Sequence, residues 1–172
     1  MENKYLHKAI VVWSNFCRFL LAVVFLFSGF IKANDPLGTV YKVQDYLEAW
    51  GLLTLSGGYV PYLVAILFGI FEFTLGIYLF FGIRRRVAPL LMLLLMSFLT
   101  PLTLWLAIAN PISDCGCFGD AVVLTNWETF FKNIVLLIAA ISVFKWRRYI
   151  FNLVTTKVDW LVSLCLLYTS PS

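Results

Sequence analysis

Long runs of apolar residues, separated by short polar stretches, dominate the hydrophobic pattern of this chain. Four runs reach the roughly 20 residues that an α-helix needs to cross a hydrocarbon core, and they cover 11–33, 60–81, 87–109 and 127–144. A fifth run begins over 158–164. The alternating pattern of a membrane β-barrel is absent from the sequence. The pattern predicts an all-α integral membrane protein, namely a four-helix transmembrane bundle followed by the start of a fifth span.

The connection between the first two runs, residues 34–59, carries its apolar and aromatic residues at a helical spacing. These residues are Tyr41, Val43, Tyr46, Leu47, Trp50 and Leu53. The spacing predicts a short amphipathic helix that lies on the membrane surface and caps the bundle.

The last residues of the chain have a different character from the rest. They read CLLYTSPS over 165–172, which matches one translation of a transposon sequencing adapter. We expect them not to be native, and Cys165 is therefore left out of the functional interpretation. The predicted organisation is a membrane bundle over 1–157, the start of a truncated fifth span over 158–164, and a non-native segment after it.

Composition and charge strengthen the membrane prediction and orient the chain. Of the 172 residues 62% are hydrophobic and only 13% are charged, whereas a soluble domain is about 25% charged. Three sets of cations precede or open the first run, separate the second run from the third, and follow the fourth, and they are Lys4, Lys8 and Arg18, then Arg84, Arg85 and Arg86, then Lys145, Arg147, Arg148 and Lys157. The positive-inside rule makes their side cytoplasmic, with the N-terminus there and with 34–59 and 110–126 outside. Headgroups and topology account for the net charge of +4, so nucleic-acid binding is not expected.

Two cysteines separated by one residue stand in the second outward connection, in the sequence DCGCFGD over 114–120. Thiols on the oxidising side favour a disulfide between Cys115 and Cys117, and Gly116 supplies the backbone freedom that so small a ring requires. A strained, exposed disulfide is typical of thiol exchange. A second interpretation stays open, in which the segment only forms a sharp turn. No metal site is expected, because the only histidine, His7, lies on the opposite side of the membrane.

Three of the charged residues that fall inside apolar runs are candidate functional groups, because an unpaired charge there is costly. Glu72 lies near the middle of the second run and Arg18 in the inner part of the first. Counted from the inner ends, the two have similar depths, which predicts an ion pair between them. This pair either fixes the helix register or takes part in proton movement or quinone binding. Lys32, at the outer end of the first run, is expected to extend to the headgroups.

The sequence resembles a known group of membrane proteins. Arg18 followed by FLLAVVFLFSGFIK, together with FEFTLGIYLFFGIRRR around Glu72, resembles the DoxX-like membrane superfamily. DCGCFGD followed by the fourth apolar run with Asn133 is similar to its methylamine-utilisation MauE branch. The resemblance covers nearly all of the chain before the non-native segment. It implies a four-helix bundle like that of vitamin K epoxide reductase relatives, and disulfide formation or electron transfer in which Cys115 and Cys117 exchange.

One departure limits this resemblance. The first outward connection contains no cysteine, whereas vitamin K epoxide reductase relatives have a cysteine pair there. An electron relay therefore requires a separate or downstream thioredoxin-like partner, and quinone is the acceptor that the analogy suggests.

The leading hypothesis is a thiol–disulfide redox module of the bacterial inner membrane, with Cys115 and Cys117 on the periplasmic side. The alternative is a non-catalytic membrane anchor or assembly subunit for an outer thioredoxin-like domain. A small-solute transporter is less favoured, because four spans without an evident repeat offer little room for alternating access.

Overall fold

A computed structural model describes most of the membrane-spanning part of the chain. The described residues are 2–49, 51, 59–109 and 124–150. Cys115 and Cys117, the predicted fifth span over 158–164 and the segment 165–172 lie outside them. The redox pair and the proposed domain boundaries therefore stay predictions.

The described residues form helices and contain no strand. The helices are α1 (Glu2–Asn34), α2 (Pro36–Ala49), α3 (Val60–Phe81), α4 (Val87–Ala109), α5 (Asn126–Lys145) and a short 3-10 helix (Arg147–Tyr149). Of these, α1, α3, α4 and α5 are long and apolar enough to cross a membrane. The predicted all-α membrane bundle is confirmed, and α1 begins well before its apolar run.

The outside of the bundle is covered by large apolar side chains. Leu63 on α3, Leu94 on α4 and Ile138 on α5 are each more than half exposed. An apolar surface this extensive is unfavourable in water but suits contact with lipid tails. Helices also satisfy their own backbone hydrogen bonds, as a hydrocarbon environment requires.

Helices α1 and α3 approach each other closely and run antiparallel. A Cβ atom built on Gly29 would lie 2.7 Å from the backbone nitrogen of Phe73, and one on Gly76 would lie 2.8 Å from that of Leu26. Only glycine fits at such distances, since backbone cannot move aside as a flexible side chain can. These contacts set the register of the two helices, and with it the partners of every polar residue they carry.

The remaining spans complete the bundle around one apolar core. Helix α4 packs chiefly on α5, and α5 also packs on α1, while α3 and α4 touch sparsely. Buried apolar residues from all four spans meet in the core, among them Leu21, Leu75, Met92 and Leu136. One end of the bundle, called the α2 end here, is where α1 and α4 finish and where α3 and α5 begin. The opposite end, called the arginine end, holds the α3–α4 connection and the 3-10 helix.

Helix α2 confirms the helix predicted for the first connection. Its start is fixed by Asp35, whose Oδ1 accepts a hydrogen bond of 3.2 Å from the backbone nitrogen of Gly38. An aspartate caps a helix N-terminus in this way, by accepting a hydrogen bond from a backbone N–H of the first turn. Thr39 and Val40 are buried, because α2 packs on α3 and α1. Trp50 and Leu53 lie outside the described residues, and the position of α2 on the membrane surface stays a prediction.

Candidate functional site

A buried ion pair joins α1 to α3 near the α2 end. Nζ of Lys32 lies 2.6 Å from Oε2 of Glu72, and the two side chains are only 3% and 5% exposed. The hydroxyl of Ser28 donates a second hydrogen bond of 2.8 Å to the same carboxylate oxygen. A desolvated charge pair persists only where its geometry is good and hydrogen bonds support it. Both conditions are met here.

The local sequence explains why these groups meet. Ser28 and Lys32 are four positions apart in α1 and therefore share one helix face. Gly69 on α3 leaves room for the lysine stem, since a Cβ atom there would lie 3.3 Å from Cβ of Lys32. The ammonium group lies over the ring of Phe68, at 4.6 Å from Nζ to the ring centroid. A cation over an aromatic face is stabilised by the ring quadrupole.

The predicted ion pair between Arg18 and Glu72 is wrong, and so is the predicted extension of Lys32 to headgroups. The α1–α3 register places Lys32 beside Glu72, and about 21 Å of helix axis separates Arg18 from Lys32 at 1.5 Å per residue. Arg18 instead lies at the arginine end, near Arg85, with its guanidinium 4.6 Å from the ring of Phe19. The prediction assumed that the start of the apolar run in α1 is level with the last turn of α3. In the structure, that last turn is level with residues further along α1.

An apolar cavity of about 320 Å³ lies above the ion pair, and Lys32 and Glu72 form its floor. Helices α2, α3 and α4 supply its walls, which include Val43, Tyr46, Leu47, Val64, Phe98 and Leu102. Phe98 and Val64 are also exposed on the outside of the bundle, so the cavity reaches the lipid-facing surface where α3 and α4 touch sparsely. Ligand sites commonly combine such apolar walls with a few convergent polar groups.

A second buried polar contact joins α4 and α5 at the same depth. Nδ2 of Asn133 donates a hydrogen bond of 3.2 Å to Oγ1 of Thr103, and both side chains are buried. A void of about 20 Å³ between this contact and the ion pair is bordered by Ser28, Glu72 and Asn133. That is room for one water molecule with polar neighbours. Thr103 was not predicted to have a role, although its position as a polar residue within an apolar run was a signal for one.

The described part of the chain brings together no group of three or more His, Cys, Asp or Glu that could hold a metal ion. Cys17, the cysteine within it, is buried in the apolar core. Arg18, Lys32 and Glu72 are all buried within the bundle, but only the last two meet in one site.

Membrane-spanning helices that enclose a hydrogen-bonded ion pair and a lipid-accessible cavity define a small multi-pass α-helical membrane protein. Residues 8–145 match the family model described as methylamine utilisation protein MauE, and the chain belongs to this family. The match includes α3, α4, α5 and most of α1, so the resemblance to MauE is confirmed. No match is found among curated proteins or among solved structures.

Proposed function

We propose that this MauE-family protein is a thiol–disulfide redox module of the bacterial inner membrane, which supports disulfide formation or electron transfer for periplasmic partners. Cys115 and Cys117 are the exchanging pair, and quinone bound in the cavity is the electron acceptor. The observation that carries the proposal is the Lys32–Glu72 pair on the floor of a lipid-accessible cavity. A buried charge pair beside open apolar space is costly for a protein that needs only an anchor.

The position of the cavity in the bundle supports a connection with the cysteines. It lies in the half of the bundle next to the α2 end, and that is the end at which α4 finishes at Ala109 and α5 begins at Asn126. The sequence between these two helices contains Cys115 and Cys117. Ligand and thiols therefore belong to the same side of the protein in this proposal.

The chemistry of the cavity fits a quinone. The walls suit an apolar ring and an isoprenoid tail, and the tail can leave the cavity toward lipid beside Phe98. The ammonium group of Lys32 has further N–H donors besides the one directed to Glu72, and a quinone carbonyl oxygen accepts such a bond. A quinol hydroxyl can donate to the carboxylate of Glu72 in turn.

The reaction balances in two steps. Two thiols of a partner protein reduce the Cys115–Cys117 disulfide through a mixed disulfide, so the partner gains a disulfide and both cysteines become thiols. The two cysteine thiols then give two electrons and two protons to the quinone, which becomes quinol, and their disulfide forms again. A thioredoxin-like domain or protein is the partner, and the family description suggests that methylamine utilisation is the process it serves.

The test traps the exchange in membranes. Cys115→Ser and Cys117→Ser variants are treated with a thiol-alkylating mass tag, with and without reductant, and compared with Cys17→Ser as the matched control. We expect one of the first two variants to accumulate a mixed disulfide with a partner protein, because the remaining thiol cannot be resolved. The control should behave like the unchanged protein, since Cys17 is buried in the core.

The opposite result supports the alternative function. If Cys115 and Cys117 are free thiols under all conditions, or no mixed disulfide is trapped, the redox role fails. The protein is then a membrane anchor or assembly subunit for a thioredoxin-like domain, with the cysteine segment acting as a turn.

A further inference from the structure

A second site, distinct from the ion-pair cavity, lies at the arginine end of the bundle. Arg85 and Arg86 follow α3, Arg147 and Arg148 follow α5, and together these residues line a pocket of about 280 Å³. Two connections that are far apart in sequence thus bring four arginines to one pocket. We call this the arginine pocket.

The backbone holds one wall of the arginine pocket in position. Gly82 ends α3 in the left-handed conformation, with φ at 72°, and its N–H bonds back to the carbonyl oxygen of Leu79. Glycine is the usual residue at this helix C-cap. Arg84 also has a positive φ of 48°, so the chain turns sharply and α4 begins at Val87. Arg85 and Arg86 therefore lie on a tight turn between two spans.

The other wall is fixed against α1. Nδ2 of Asn15 donates a hydrogen bond of 3.3 Å to the carbonyl oxygen of Tyr149, and His7 meets the Tyr149 ring edge-on at 5.0 Å between centroids. Ile150 is buried in the core. The guanidinium of Arg147 lies 4.9 Å from the ring centroid of Phe144, within the range of a cation–π contact.

The charge distribution at this end is strongly one-sided. Besides the four arginines, the buried Arg18 lies near enough to Arg85 for their charges to repel. The acidic side chains that the structure describes lie at or toward the α2 end, and they are Asp35, Asp45, Glu48, Glu72 and Glu128. Several cations gathered at one end of the bundle attract an anion.

We propose that the arginine pocket binds a phosphate group, and that this group is the phosphodiester of an anionic membrane lipid. Guanidinium groups match phosphate oxygens with paired N–H donors. The lipid source follows from the surroundings, because the exposed apolar side chains of Val87 and Leu90 continue along α4 directly beyond Arg86. A headgroup in the pocket thus leaves its acyl chains along the lipid-facing side of α4. Basic pockets between membrane helices commonly take such headgroups.

The test uses the two exposed arginines, so that packing is disturbed least. The purified full-length chain and its Arg86→Gln/Arg148→Gln variant are placed in bilayers of phosphatidylcholine with a minor share of phosphatidylglycerol, and bound lipid is counted by native mass spectrometry. The matched control, Lys8→Gln/Arg84→Gln, removes the same charge at the same end, from residues that do not line the pocket. Thermal unfolding in detergent checks that all three proteins are folded.

We expect phosphatidylglycerol to be retained by the unchanged protein and by the control, and its affinity to fall on the order of tenfold or more in the pocket variant. Equal losses in both variants, or equal retention of the two lipids, overturn the proposal. A further arm adds inorganic phosphate at millimolar concentration. If phosphate displaces the lipid completely and itself binds with the same dependence on Arg86 and Arg148, the ligand is free phosphate and the lipid assignment is overturned.

Discussion

Lys32 and Glu72 are 40 positions apart in the sequence, yet their charged groups meet at 2.6 Å inside the bundle. The contact joins the two helices that approach each other most closely, and Ser28 supports it from the same face of α1. Because both charges are buried, each depends on the other. The pair therefore links α1 to α3 and also forms the polar floor of the cavity.

Neutralising one member of this pair is expected to destabilise the protein more than neutralising both. Glu72→Gln or Lys32→Met leaves one buried charge without its partner, which costs about 3–5 kcal/mol. The double variant removes that unpaired charge and should recover much of the loss. The measurement is the unfolding midpoint of each purified variant in detergent, with Glu48→Gln, at an exposed position on α2, as the control. Additive effects of the two single changes would contradict a direct pair.

The glycine contacts predict a second, purely steric effect on stability. Gly76→Ala puts a methyl group 2.8 Å from the backbone nitrogen of Leu26, so α1 and α3 must separate, at a cost of about 1–3 kcal/mol. Leu67→Ala on α3 is the control, because Leu67 faces lipid and is 63% exposed. Unfolding in detergent should show a clear loss for the first variant and a small one for the second. Similar losses for the two would show that the helices are not in close contact at Gly76.

The long-range partners of the charged residues could not be predicted from the sequence, although the spans could. Length and apolarity are properties of each run alone, and they predicted α3, α4 and α5 to within a residue or two. The partner of Glu72 depends on how α1 slides along α3, and the close approach at Gly29 and Gly76 decides that. Glycines in an apolar run are visible in sequence, but which residue faces each of them is not.

The contact between α4 and α5 illustrates the same limit. Thr103 and Asn133 stand in separate apolar runs, and neither has a local feature that indicates the other. Their contact depends on the register between α4 and α5, and this register cannot be predicted from the composition of either run. The helix in the first connection was predicted more readily, because its apolar spacing is local. The sequence did not predict that this helix forms part of the cavity wall through Val43, Tyr46 and Leu47.

Thr103 and Asn133 are expected to respond unequally to substitution. Asn133 donates to Thr103, while the Thr103 hydroxyl also has the carbonyl oxygens of Leu99 and Thr100 at 3.0 Å. Thr103→Val thus leaves a buried amide group unsatisfied, which costs about 1–3 kcal/mol. Asn133→Leu leaves the hydroxyl bonded to backbone and should be the milder change. Unfolding in detergent of the two single variants and of the double variant ranks their losses of stability. A milder loss for Thr103→Val than for Asn133→Leu would contradict this geometry.

Filling the cavity should separate quinone binding from thiol exchange. Leu102→Trp adds a large ring to the wall contributed by α4, whereas the control Leu104→Trp makes the same change at an exposed position on that helix. Because the ring takes the space of the acceptor, quinone-dependent reoxidation of the Cys115 and Cys117 thiols should slow on the order of tenfold or more. Their exchange with a partner thiol should continue. The measurement follows the thiols in proteoliposomes by alkylation after a short-chain ubiquinone analogue is added. If the thiols of the Leu102→Trp and Leu104→Trp variants reoxidise alike, the acceptor does not bind in this cavity, and that part of the proposed function is wrong.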